Sequence, residues 1–107
     1  MYYYTISQNE LNHYLQKPTT TLIDLRNPES FQRGHIPGAI NIPYHELHTK
    51  PLSTFNKNTI ILYCDRGSQS LLAARDLQKR GITAFSIYGG FFAYRGPVEY
   101  LTKPFNS

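Results

Sequence analysis

One segment, residues 59–81 (TIILYCDRGSQSLLAARDLQKRG), constrains the fold more than any other part of the sequence. Its first five residues are apolar, aromatic or β-branched, which predicts a buried strand over residues 59–63. Residues 70–80 then carry apolar side chains at helical spacing, and Gly81 follows where a helix commonly ends. A strand that runs through a short glycine-containing loop directly into a helix is typical of a parallel α/β sheet.

The rest of the chain alternates the same two kinds of element. Further strands are predicted at residues 2–6, 20–25, 39–42 and 83–88. A capping-box pattern, Ser-x-x-Glu, begins one helix at Ser7, and other helical segments are predicted at residues 27–34, from Pro43, and at residues 97–101. We therefore predict one α/β domain over residues 1–107, with three layers in which helices flank a central, mostly parallel sheet.

Composition and charge exclude several classes of protein. The 107 residues are 40% hydrophobic and 17% charged, as in a soluble globular domain. No window approaches the roughly 20 apolar residues of a membrane span, and the first residues lack the pattern of a signal peptide, so we expect a cytoplasmic protein without a membrane partner. The net charge of +4 comes from scattered basic residues without a nucleic-acid motif, which favours a small anion over nucleic acid.

The chemistry of the chain is concentrated at Cys64, the single cysteine. It lies at the carboxyl end of the predicted central strand, where parallel sheets bind their ligands. The amide groups of the following loop and the positive end of the next helix would stabilise an anionic sulfur there. The predicted loop consists of Asp65, Arg66, Gly67, Ser68, Gln69 and Ser70. The alternative is a small buried hydrophobic residue, which is how most free cysteines are used.

Three motifs, in the same order, resemble the rhodanese-like sulfurtransferases. CDRGSQS is similar to the active-site loop of that family, and LIDLRNPESFQRGHIPGAINIP is similar to its upstream segment. IYGGFFAYRGP resembles the closing Gly-Gly segment, with Tyr94 where an aromatic residue, often tryptophan, is usual.

The resemblance implies a sulfurtransferase that needs no cofactor or metal. Cys64 would take the outer sulfur of thiosulfate or of a persulfide donor and pass it to cyanide, a thiol or a sulfur-carrier protein. Arg66 would contact the anionic donor. Asp24 and Arg26 would face the same crevice, with Asp24 bonded to loop backbone and Arg26 either paired with an acidic residue or attracting the donor.

Two departures from the family pattern affect this interpretation. Gln69 stands at the fifth position after the cysteine, where the family often has arginine, so donor preference is expected to differ. Ser70 stands at the sixth position, where cysteine phosphatases need an arginine to bind phosphate, which argues against phosphoryl transfer. A non-catalytic module that binds a partner or senses oxidants stays open as the alternative function.

Histidines and aromatic residues outside the loop have structural interpretations. His35 is expected to close its turn through hydrogen bonds, and His45 and His48 are expected on a solvated helix face without a metal. The sequence leaves open whether Phe91, Phe92 and Tyr94 line the rim of the Cys64 pocket or belong to the core.

Overall fold

The computed structural model describes residues 4–55 and 59–101. Its strands are β1 (Thr5–Ile6), β2 (Thr20–Asp24), β3 (Ile40–Asn41), β4 (Thr59–Tyr63) and β5 (Ala84–Ile87). Its α-helices are α1 (Gln8–Leu15), α2 (Pro28–Arg33), α3 (Tyr44–Leu47), α4 (Ser68–Lys79) and α5 (Gly90–Ala93), and a 3₁₀ turn covers Leu52–Phe55. No helix within these two described ranges is long and apolar enough to span a bilayer.

The five strands form one parallel sheet in the order β1-β5-β4-β2-β3. Alternate side chains of the central strand β4 enter two separate cores, because successive residues of a strand point to opposite faces. Ile60 and Leu62 pack with Cys64 against α4 and α3, whereas Ile61 and Tyr63 pack against the side that carries α1 and α2. The predicted three-layer α/β architecture is confirmed.

Local hydrogen bonds fix where the first helices begin. Ser7 Oγ accepts the amide of Glu10 at 3.2 Å while the Glu10 carboxylate accepts the amide of Ser7 at 2.8 Å, so the predicted capping box is formed. Asn27 Oδ1 accepts the amide of Ser30 at 2.8 Å at the start of α2. Both starts follow from side chains placed within three residues of the amide they satisfy.

The predicted helix at residues 97–101 is wrong. None of these residues is helical, and Glu99 forms an isolated antiparallel bridge with His35 through two hydrogen bonds, at 2.9 and 2.8 Å. Tyr94 Oη also donates to the carbonyl of Pro97 at 2.8 Å. The pairing with a distant loop satisfies the backbone groups that a helix would otherwise satisfy, so the proline does not open a helix.

The first predicted strand is shorter in the structure than in the sequence interpretation. β1 begins at Thr5, and Tyr4 is half-buried against the core below α4. Tyr2 and Tyr3, which were also assigned to the strand, lie outside the described residues.

Candidate active site

Cys64 directly follows β4, and its side chain is bonded to the start of α4. Its Sγ accepts the amide of Gly67 at 3.1 Å and the amide of Ser70 at 3.4 Å. Gly67 is the N-cap of α4 and has no side chain to cap the helix, and Ser70 is the third residue of that helix. The sulfur of Cys64 therefore occupies the place of a capping oxygen, at the positive end of a 12-residue helix.

Gly67 makes this arrangement possible. Its φ is +103°, in the left-handed region that glycine adopts without strain. The turn brings the loop back so that α4 starts at Ser68, two residues before the predicted start. A cysteine at the end of a strand can reach the first amides of the next helix only because the loop turns this tightly.

One buried hydroxyl group lies beside the sulfur, and a second is bonded to the first. Ser70 Oγ is 3.5 Å from Cys64 Sγ, 3.3 Å from the carbonyl oxygen of Gly67 and 2.6 Å from Ser86 Oγ. Ser70 is fully buried, and Ser86 of β5 is 1% exposed. The sequence analysis missed Ser86, although a serine inside an otherwise apolar strand was a usable signal.

The Gly-Gly segment and the start of α5 pack against the backbone of the Cys64 loop. The amide of Phe91 donates to the carbonyl of Cys64 at 2.8 Å, and the amide of Phe92 donates to that of Asp65 at 2.9 Å. Gly90 has a φ of +63°, and a Cβ there would lie 2.6 Å from the Cys64 carbonyl oxygen. The absence of a side chain at Gly90 therefore lets α5 approach the backbone of the Cys64 loop closely.

Arg66 is exposed on the outer side of the loop. Its guanidinium lies over the ring of Phe92, 4.0 Å from the ring centre, and forms no ion pair with a carboxylate of the described residues. A cavity of about 560 Å³ opens beside it. Its lining comprises Tyr4, Thr5, Arg66, Gly67, Ser68, Leu71, Ser86, Ile87, Tyr88 and Gly89.

The sequence left open whether three aromatic residues line the rim of the Cys64 pocket or belong to the core, and the structure separates them. Phe92 is 63% exposed and belongs to the rim, next to Arg66. Phe91 and Tyr94 pack against the core on the Tyr63 side of the sheet, where Phe91 stacks on both neighbouring rings at centroid distances of 6.0 Å.

Asp24 and Arg26 are paired with each other rather than directed at Cys64. Arg26 donates from Nε and Nη2 to the Asp24 carboxylate, with the shortest distance 2.8 Å, and from Nη2 to the carbonyl of Gly34 at 2.5 Å. Its guanidinium covers Phe91 at 4.1 Å, on the face of the sheet opposite to α4. The expected pairing with an acidic residue is therefore present, whereas the expected position in the Cys64 crevice is not.

The electrostatics of this pair follow from its burial. Desolvation alone would lower the pKa of Arg26, but the hydrogen bonds and the charge of Asp24 outweigh it and raise that pKa. Burial and, after it, the charge of Asp24 raise the pKa of Tyr63. Tyr63 stays protonated, and its Oη accepts the amide of Ile36 at 3.0 Å.

Asp24 also accepts the amide of Arg26 at 2.8 Å, the backbone bond expected of an aspartate at a strand end.

The side chains of the remaining loop residues form no hydrogen bond with Cys64 Sγ in the described part of the chain. Asp65, Ser68 and Gln69 are exposed, and Gly67 is half-buried. His35 is 3% exposed, with Nδ1 2.8 Å from the carbonyl oxygen of Phe31, the structural position expected for it. The described part of the chain contains no group of three or more metal-ligating side chains, and His45 is largely exposed.

The sequence and the fold correspond to a known family. The family model described as Rhodanese-like domain matches residues 7–96, and the chain belongs to the rhodanese-like domain family. Members of this family are generally sulfurtransferases, although some are not catalytic.

The chain is also similar to individual proteins. A tRNA sulfurtransferase of Desulfurococcus amylolyticus is 36% identical over 78 residues, which is 73% of this chain but only 15% of that protein. The uncharacterized protein YqhL of Bacillus subtilis is 33% identical over 96 residues, covering 89% of this chain and 75% of the relative. The crystal structure of a rhodanese-related protein from Thermoplasma volcanium superposes with a TM-score of 0.80 at 27% identity, covering 94% of this chain and all of that one (100%).

Proposed function

We propose that this protein is a sulfurtransferase in which Cys64 carries the transferred sulfur as a persulfide. The observation that carries the proposal is the position of Cys64 Sγ, which accepts the amides of Gly67 and Ser70 at the N-terminus of α4. Amide donors and a helix N-terminus stabilise negative charge, and both the thiolate and the terminal sulfur of a persulfide are anionic. Family membership supports the same chemistry.

The reaction has two displacement steps. In the first, the thiolate of Cys64 attacks the outer sulfur of thiosulfate, a new S–S bond forms, and sulfite leaves with the electrons of the bond that breaks. In the second, an acceptor such as cyanide or a thiolate attacks the outer sulfur of the persulfide, and Cys64 leaves as a thiolate. No external oxidant or reductant is needed, because each step only exchanges one nucleophile for another on the transferred sulfur atom. Cys64 replaces sulfite in the first step, and the acceptor replaces Cys64 in the second.

Arg66 and the cavity next to it support an anionic donor. The guanidinium is exposed and unpaired among the described residues, and its contact with Phe92 keeps it on the rim of the loop. Thiosulfate carries two negative charges, so this cation would increase its local concentration. The donor is thiosulfate or a persulfide in this proposal, and the acceptor is cyanide, a thiol or a sulfur-carrier protein.

Phosphoryl transfer fits the site poorly. The position that a cysteine phosphatase fills with arginine is Ser70, which is fully buried and bonded to Ser86 and Gly67. A serine in this environment cannot supply the bidentate guanidinium contacts that a phosphoryl group requires.

Intact-mass measurement tests the proposal. The purified protein, its Cys64→Ser variant and the protein alkylated at Cys64 are weighed before and after incubation with thiosulfate. We expect the unmodified protein alone to gain one sulfur atom and to lose it on addition of cyanide, with thiocyanate released in equal amount.

The absence of a mass gain with both thiosulfate and an organic persulfide would overturn the proposal. The protein would then be assigned to the non-catalytic members of the family, as a binding or oxidant-sensing module. Rapid gain of oxygen at Cys64 with hydrogen peroxide would favour sensing over binding.

A further inference from the structure

The hydroxyl pair of Ser70 and Ser86 lies in a layer that is otherwise apolar. The surrounding contacts between α4 and the sheet are made by Ala74, Leu77 and Ala84, all 2% exposed or less. Burying hydroxyl groups in such a layer costs free energy unless they are hydrogen-bonded. The two oxygens satisfy each other at 2.6 Å, and the pair ends at the sulfur of Cys64. Apolar side chains would pack this layer without that cost, so the pair calls for a functional explanation.

The hydrogen-bonding capacity of the two hydroxyl groups indicates how the pair acts on the sulfur. A hydroxyl has one proton and can also accept hydrogen bonds. As a thiol, Cys64 Sγ donates to Ser70 Oγ. As a thiolate it has no proton to donate, and Ser70 Oγ then has three possible acceptors for its own proton, namely Cys64 Sγ, the Gly67 carbonyl and Ser86 Oγ. When Ser86 donates to Ser70, the proton of Ser70 is directed away from Ser86 and towards the other two. An anionic sulfur is a strong acceptor, so it competes well against the Gly67 carbonyl.

We propose that Ser86 is a positioning residue for Cys64, which acts by orienting the Ser70 hydroxyl so that it donates to the sulfur whenever the sulfur is a thiolate. That condition holds before the sulfur is loaded and again when the acceptor displaces Cys64 as the leaving group. The role in sulfur transfer rests on the proposed function, whereas the effect on the thiolate does not. Among the described residues, the hydrogen bonds of Cys64 Sγ are with Gly67 and Ser70 and not with Ser86.

The matched pair Ser86→Thr and Ser86→Val tests this role, since the two side chains have nearly the same shape and differ in the hydroxyl group. The threonine side chain adds one methyl group to the buried site, and the valine side chain has the same branched shape with a second methyl group in place of the hydroxyl, so a defect caused by size alone would affect both variants alike. The readout is the rate at which Cys64 reacts with iodoacetamide at neutral pH, beside the single-turnover rate of persulfide discharge to cyanide. We expect the valine variant to be about threefold to tenfold slower than the threonine variant in both assays. Equal rates in folded Thr and Val variants would overturn the proposal.

Alanine variants keep the test valid if the larger side chains do not fit. Ser86→Ala is expected to slow alkylation in the natural background but to have no further effect in the Ser70→Ala background, because Ser86 acts only through Ser70. Equal losses in both backgrounds would overturn the proposal. If the alkylation rates depend on the hydroxyl group at position 86 but incubation with thiosulfate leaves no sulfur on Cys64, the proposed function fails. The positioning role of Ser86 stands in that case.

Discussion

Cys64 is 3% exposed, which by itself would fit a small hydrophobic residue in the core. Its hydrogen bonds distinguish the two interpretations that the sequence left open. An apolar side chain would not accept two backbone amides, whereas Sγ accepts those of Gly67 and Ser70. The candidate site therefore consists of the Cys64 sulfur, the two amides and the Ser70 hydroxyl, and Arg66 lies outside these groups.

Replacement of Arg66 tests whether its charge attracts the donor. We expect Arg66→Ala to load sulfur from thiosulfate about threefold to tenfold more slowly at low ionic strength, with the difference shrinking as salt is added. The matched control is Arg75→Ala, which removes the same charge from an exposed residue of α4 that borders a different cavity. Loading is measured by stopped-flow mixing followed by mass analysis. Equal loading rates in the two variants would remove Arg66 from the donor site.

The elements around the site act as a unit. The Cys64 loop joins β4 to α4 and is covered by α5, whose Phe91 and Phe92 amides donate to the loop carbonyls of Cys64 and Asp65 at 2.8 and 2.9 Å. The loop is therefore held from both sides, by α4 through the sulfur and by α5 through the backbone. A rigid loop keeps the amides aimed at the sulfur without reorganisation during the reaction.

A comparison of two glycines tests the contact between α5 and the loop. Gly90 and Gly81 have similar positive φ angles, +63° and +87°, but a Cβ at Gly90 would lie 2.6 Å from a loop carbonyl oxygen, whereas at Gly81 no atom lies within 4 Å. We expect Gly81→Ala to lower the free energy of unfolding by about 1 kcal/mol and to leave sulfur transfer intact. Gly90→Ala should cost roughly 3 kcal/mol or more and slow sulfur transfer strongly.

Urea unfolding and the persulfide discharge rate measure the two effects separately. If Gly90→Ala proved as stable and as active as Gly81→Ala, the close approach of α5 would have no part in holding the loop.

The stability of the whole molecule depends on groups that the sheet buries on the face opposite to α4. Tyr63 of the central strand is fully buried there and accepts the amide of Ile36, 27 residues away along the chain. Burial, assisted by Asp24, raises its pKa above the ordinary value for a phenol. The unfolded chain ionises this group near pH 10, but the folded protein does not.

Alkaline unfolding of Tyr63→Phe checks this linkage. Because the folded pKa is raised, the contribution of Tyr63 is fully present below about pH 10 and is lost as the pH rises further, by up to about 1.4 kcal/mol per pH unit. The variant should therefore be less stable than the natural protein at pH values near 8, where it lacks the bond to Ile36, and the gap should narrow or reverse above pH 10. Urea unfolding of both proteins, near pH 8 and above pH 10, measures the difference in their free energies of unfolding. A difference that does not change with pH would contradict the raised pKa of Tyr63.

The sequence by itself determined the class of fold, the order of the five strands and the first four helices along the chain, and the loop that holds the candidate nucleophile. These features depend on interactions within a few residues, such as the capping box at Ser7, the apolar run of β4 and the left-handed Gly67. Local preferences of this kind are set by neighbours in the chain, so they can be predicted before any tertiary contact is known.

Only the tertiary structure decided which side chains meet. The contact of Ser86 with Ser70, the packing of Arg26 over Phe91 and the bonds of Glu99 to His35 each join residues from separate parts of the chain. The last of these lies within residues 97–101, where a helix was predicted and none is present. Such contacts depend on how strands are ordered and which face each side chain enters, and no local pattern encodes that information.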